Sequence, residues 1–107
     1  MASKRRRLVL QKPDVDDPPA LLSLGKPSAV AEAMAPFNTA PDGGNKSLGT
    51  MILYGPGITV ELATSAPEVK QAMVTVVDED AAWAVLSRMC RVHGWTMVDP
   101  ETGRTFG

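Results

Sequence analysis

Cys90 and His93 are the one cysteine and the one histidine of this 107-residue chain. Three apart on a helix, they fall on neighbouring faces. That is the spacing of two metal ligands, or of a thiol beside an activating imidazole. A metal site needs three or four ligands, and no further Cys or His exists to complete one. The same pair also reads as a small core side chain and an imidazole near a helix's negative pole. Asp78-Glu79-Asp80 is the densest acidic cluster and offers oxygen ligands for Mg²⁺ or Ca²⁺. It has no second cluster to close a shell, and helix capping accounts for all three residues. Neither motif therefore assigns a catalytic residue or a metal ligand, and no cofactor is expected.

Two glycine-rich stretches invite a phosphate-loop reading. Gly43-Gly44-Asn45-Lys46-Ser47 lacks the preceding strand and the spacing of a Walker sequence. In Gly55-Pro56-Gly57 the proline removes an N–H that a phosphate cradle needs. Both are turns. Lys4-Arg5-Arg6-Arg7 is more distinctive: four consecutive cations contact phosphates or acidic protein surfaces. Leu8 and Leu10 follow as apolar anchors, and Leu21, Leu22 and Leu24 form a second apolar group. These nine residues, Lys4, Arg5, Arg6, Arg7, Leu8, Leu10, Leu21, Leu22 and Leu24, are the candidate partner-binding set. No aromatic stacking platform stands beside the basic run, so sequence-specific RNA recognition is not indicated.

Composition then divides the chain near Ser47. Residues 1–47 hold seven Lys/Arg against five Asp/Glu, a net +2. The remainder holds four against seven, a net −3 within an overall −1. Six of the nine prolines lie in the first part, and four of the five aromatics in the second. A proline-rich, aromatic-poor segment buries too little apolar surface to offset its ordering entropy. Residues 1–47 are thus expected to be a largely disordered arm with a basic start. Short helical turns are expected at Pro18–Leu24 and Ala29–Ala35, formed only against a partner or the domain. Pro41-Asp42-Gly43-Gly44-Asn45 reads as the end of the linker.

Residues 48–107 are expected to fold. Met51–Tyr54 and Ile58–Leu62 are β-rich runs joined by a three-residue Gly-Pro-Gly loop. Ser65–Glu68 has capping-box spacing for a brief helical turn. Met73–Val77 is the strongest strand signal and is placed centrally. Residues 79–93 form the one convincing helix, with Asp78 as N-cap and Gly94 just past its end. Trp95–Val98 and Arg104–Phe106 are strands around a Pro/Gly turn. The reading is a small α+β domain in the order β-β-β-α-β-β. It has a mostly antiparallel sheet of four to five strands and one helix on one face.

So small a core gains from dimerisation through a sheet edge or apolar patch. The function that follows is a non-enzymatic protein-interaction module with a flexible docking arm. The alternative is a nucleic-acid-associated protein contacting phosphates through residues 4–12. A small metal- or thiol-dependent enzyme centred on Cys90 and His93 is the weaker alternative. Partners are thus an unidentified protein, a nucleic acid or a second copy, and not a membrane. The short apolar stretch after the basic run is no secretory signal, and a lone cysteine suits a reducing compartment, so a cytoplasmic location is expected.

Overall fold

Leu8 and Leu10 alternate with Arg7, Val9 and Gln11, and an extended strand sends the two sets to opposite faces. The structure is a computed structural model describing residues 6–14, 16–17, 20–37, 39–41 and 49–106. It makes this segment strand β1 (Arg6–Pro13). There follow β2 (Leu21–Leu22), α1 (Pro27–Met34) with a 3-10 turn at Ala35–Phe37, β3 (Ala40–Pro41), β4 (Thr50–Gly55) and β5 (Ile58–Ala63). The chain continues through β6 (Gln71–Val76), α2 (Glu79–His93), β7 (Thr96–Val98) and β8 (Thr105–Phe106). Seven strands form one antiparallel sheet in the order β3-β4-β5-β6-β1-β7-β8, and β2 pairs with the end of β1.

β1 is central. It pairs with β6 from Arg6↔Val76 to Gln11↔Gln71, and with β7 from Val9↔Val98 to Gln11↔Thr96. The strand directions interlock two split β-α-β units. One is β1-α1-β5 with β6 between its strands; the other is β6-α2-β7 with β1 between. Apart from the added strands β2, β3, β4 and β8, this is the β-α-β-β-α-β connectivity called ferredoxin-like.

One face of the sheet makes the core. Leu8 lies opposite Val74, Val74 opposite Val60 and Val60 opposite Leu53, and none of the four is exposed. Both helices cover this face, α1 through Val30 and Met34, α2 through Ala82, Leu86, Met89 and Cys90. The α2 ends follow their sequence signals. Asp78 Oδ1 accepts hydrogen bonds from the N–H groups of Asp80 and Ala81. Gly94 closes the helix in the left-handed conformation, φ +69°.

The structure corrects several expectations. The α+β class and the antiparallel sheet hold, but among the described residues seven strands replace four to five and two helices replace one. The disordered arm is corrected for residues 6–13, which form the middle of the sheet. Composition over 47 residues outweighed the short β-prone run Leu8-Val9-Leu10. Leu21–Leu22 is a strand pairing with Lys12 and Pro13, not part of a helical turn. The turn near Ala29 is a helix beginning at Pro27, whose fixed φ suits a first helical position. Ser65–Glu68 forms bends, and Val69 bridges to Gly25 instead. Lys4, Arg5, Pro18 and most of the 41–45 linker lie outside the described residues.

The β4–β5 loop is one residue shorter than expected. Gly55 pairs with Ile58, which leaves Pro56-Gly57 as the turn, with Gly57 at φ +70°. Gly57 O accepts from the N–H groups of Val77 and Asp78. A Cβ on Gly57 would lie 2.5 Å from Asp78 O. The hairpin tip thus docks against the N-terminus of α2 at a point where only glycine fits.

Leu10→Ala is expected to destabilise the fold by about 2–5 kcal/mol, as other buried leucine truncations do. Arg7→Ala, on an exposed strand position, should stay within about 0.5 kcal/mol. Urea denaturation of the full chain measures both. Equal effects would place β1 outside the core.

Candidate interaction surface

Arg6 is the member of the basic run that the sheet turns toward the core side, opposite Val76. Its Nε and Nη2 donate to Asp99 Oδ2 at 3.3 and 3.1 Å, and Nη1 lies 4.0 Å from Glu79 Oε1. The guanidinium also sits 5.0 Å from the Phe106 ring centre and 5.8 Å from that of Trp83, within cation–π range. Trp83 and Phe106 pack against each other at 5.3 Å. Arg6 thereby ties the start of β1 to the β7–β8 turn and to α2. Asp99 is buried, and its Oδ1 accepts from Glu101 N–H in the same turn. That backbone hydrogen bond, with smaller help from Arg6, holds its carboxyl below the ordinary range against the cost of burial. All of this chemistry is used internally, so the cluster is a clamp.

The Cys90–His93 pair does not form a joint site. Cys90 is buried in the core, and desolvation pushes its thiol up to about 11. A thiol so raised is almost wholly protonated at neutral pH and is a poor nucleophile. The His93 ring stacks on Trp95 at 4.5 Å and meets Phe37 edge-on at 6.2 Å. Its Nε2 lies 3.3 Å from Ala33 O. His93 therefore joins the ends of the two helices. No cluster of three or more His, Cys, Asp or Glu with metal-holding geometry occurs among the described residues.

Among the described residues, nothing covers the face of the sheet opposite the helices. The register places side chains there in rows. Tyr54, Thr59, Thr75 and Arg7 form one row across β4, β5, β6 and β1. Ile52, Glu61, Met73, Val9 and Val98 form the next, reaching β7. Ile52, Met73, Val9 and Val98 are only half-buried, and Tyr54 is 47% exposed. Arg7 and Glu61 are exposed, and they are the only charged strand residues on this face among the described residues. The β5–β6 pairing ends at Glu61↔Met73, although β5 runs on to Ala63. The strands part there and leave a shallow groove of about 270 Å³, lined by Val9, Glu61, Ala63, Gln71 and Met73 among others.

The nine residues expected to bind a partner are thus dispersed. Leu8 and Leu10 have no exposure and hold the core together. Arg6 is in the clamp, and among the described members of the set only Arg7 stands on the open face. Leu24 packs partly against the core, Leu21 is half-buried and Leu22 is 42% exposed beside β1. The residues missed are Val9, Ile52, Tyr54, Met73 and Val98. Each alternates with a core residue, so its sidedness was available. That no helix would cover the second side was not. Comparison with protein-family models, with curated proteins and with solved structures finds no match.

Two outcomes test this description. In the native chain, Cys90 should react with a thiol reagent far more slowly than free cysteine at pH 8, and at an ordinary rate once urea unfolds the protein. The lowered Asp99 pKa means the unfolded chain binds its proton more readily. The stability contributed by Asp99 is therefore complete above the unfolded carboxylate range near pH 4 and lost as pH falls through the lower folded value. Asp99→Asn should flatten the acid side of the stability–pH profile measured by thermal melts.

Proposed function

We propose that this chain is a non-enzymatic interaction module whose binding surface is the open face of the sheet. The supporting observation is the contiguous apolar run Met73, Val9 and Val98, partly exposed on a hydrogen-bonded platform, with Ile52 and the exposed Tyr54 beyond Glu61. Contiguous exposed apolar surface rimmed by polar groups characterises protein-binding sites. Tyrosine and methionine are enriched in interfaces because they bury large area and adapt to a partner. The platform is also held in register by strands on both sides, so binding orders few additional groups.

The reading moves the docking function from the N-terminal arm to the sheet. It also sets the alternative, phosphate contact through residues 4–12, on a narrower base. Arg6 is engaged by Asp99, and Arg7 shares its face with the anion Glu61. Deleting residues 1–12 would remove the central strand, so charge substitution of the full chain is the sound probe of that alternative.

A photo-crosslinking residue placed at Tyr54 or Met73 should give adducts in cells producing the protein. The same residue at Ser87, on the exposed side of α2, should not. Absence of adducts from positions 54 and 73, or equal adducts from all three, would overturn the assignment of this face.

A further inference from the structure

Among the described strand residues, the open face carries one cation and one anion, and their placement suits a particular partner. Arg7 is on β1 and Glu61 on β5, with β6 between, so they lie two strand spacings apart across the sheet. Along the strand direction they are one row, or two residues, apart. With strands about 4.8 Å apart and a rise of about 3.4 Å per residue, the two Cα positions are separated by about 12 Å. The midpoint lies over β6, between Thr75 and Met73.

We propose that the occupant of this face is a second copy of the same chain, related by a two-fold axis that passes over β6 between Thr75 and Met73. The proposal rests on the reading of the open face as the binding surface and names its partner. A two-fold interface brings the same patch of both molecules together, so any contact from residue i to residue j is made twice. An axis lying in the interface and crossing the Arg7–Glu61 line at right angles at its midpoint puts each Arg7 over the other copy's Glu61. Two ion pairs then form at once, and no like charges meet. The same operation sets Met73 of each copy against Val9 of the other, on one side of the line joining the two ion pairs, with Thr75 on the other side. The strands of the two sheets then cross steeply, close to the orthogonal class of sheet packing.

Other occupants fit less well. A polyanion or acidic peptide that spanned the platform from Arg7 would come upon Glu61 about 12 Å on. A basic peptide meets the reverse conflict. A self-paired face resolves both charges with no outside group. The platform from β4 to β7 is about 20 Å on each edge, set by four strand spacings and six-residue strands. That is small beside the roughly 800 Å² per partner of a standard interface, so the dimer should be reversible and concentration-dependent.

The test is sedimentation equilibrium of the full chain over a wide concentration range at low salt. The wild-type chain should show a monomer–dimer equilibrium. Arg7→Glu and Glu61→Arg should each weaken the association at least tenfold, because each sets like charges against each other twice. The double variant R7E/E61R should recover most of it. Both positions are exposed, and unchanged thermal melts of the variants at a concentration where all are monomeric confirm that the fold is intact. A wild-type chain monomeric throughout overturns the proposal, as does a dimer that the single variants leave unchanged or that the double variant does not restore. The crosslinking result separates this failure from that of the underlying reading. Adducts from Tyr54 at a mass other than twice the chain would keep the face as a binding surface while excluding the second copy.

Discussion

Everything in this fold depends on β1 lying between β6 and β7. Without it the two halves of the sheet share no hydrogen bonds, α2 spans a gap, and Val74 and Met97 lose the leucines opposite them. The strand that joins the sheet comes from the beginning of the chain, and its neighbours come from beyond residue 70. Closing so long a loop costs entropy that local contacts cannot offset. Topologies of this kind fold slowly, and the core remains incomplete until the C-terminal strands are available.

The placement of β1 also explains the treatment of its charges. A strand entering the middle of a sheet must send alternate residues toward the helices, and Arg6 falls on that side. Its charge is tolerated because it lies at the end of the core, where Asp99 and the rings of Trp83 and Phe106 receive it. The clamp joins β1, α2 and the β7–β8 turn at one corner of the molecule. At the opposite end of α2, His93 lies among Trp95, Phe37 and the carbonyl of Ala33. Arg6, from the basic run, and His93, from the Cys90–His93 pair, thus fasten the helices and strands together.

With both helices on one side, the other side of the sheet is left to solvent. Antiparallel sheets commonly have one wet face, and such a face ordinarily carries polar residues. Here Val9, Ile52, Met73 and Val98 occupy it in one row. Their mixture with Thr59, Thr75, Gln11 and Gln71 keeps the surface compatible with water, while the row itself retains a capacity for further burial. The functional proposal follows from that residual capacity.

Local signals in the sequence were enough for those elements whose causes are local. The helix at 79–93 has a capping aspartate, acidic residues in its first turn, a broad apolar arc and a terminating glycine, all between Asp78 and Gly94. The strands at 58–62 and 73–76 and the turn at 99–103 are written in alternation and turn chemistry. The position of β1 has another kind of cause. Leu8-Val9-Leu10 states that a strand is available, but its partners are more than sixty residues away, and averaged composition pointed toward disorder. Which face stays open is settled by the side on which both helices pack, a property of connectivity. The Arg6–Asp99 pair, the burial of Leu8 and Leu10 and the shared face of Arg7 and Glu61 arise in the same way. Each brings together residues remote in sequence, and only the hydrogen-bond register of the assembled sheet decides it.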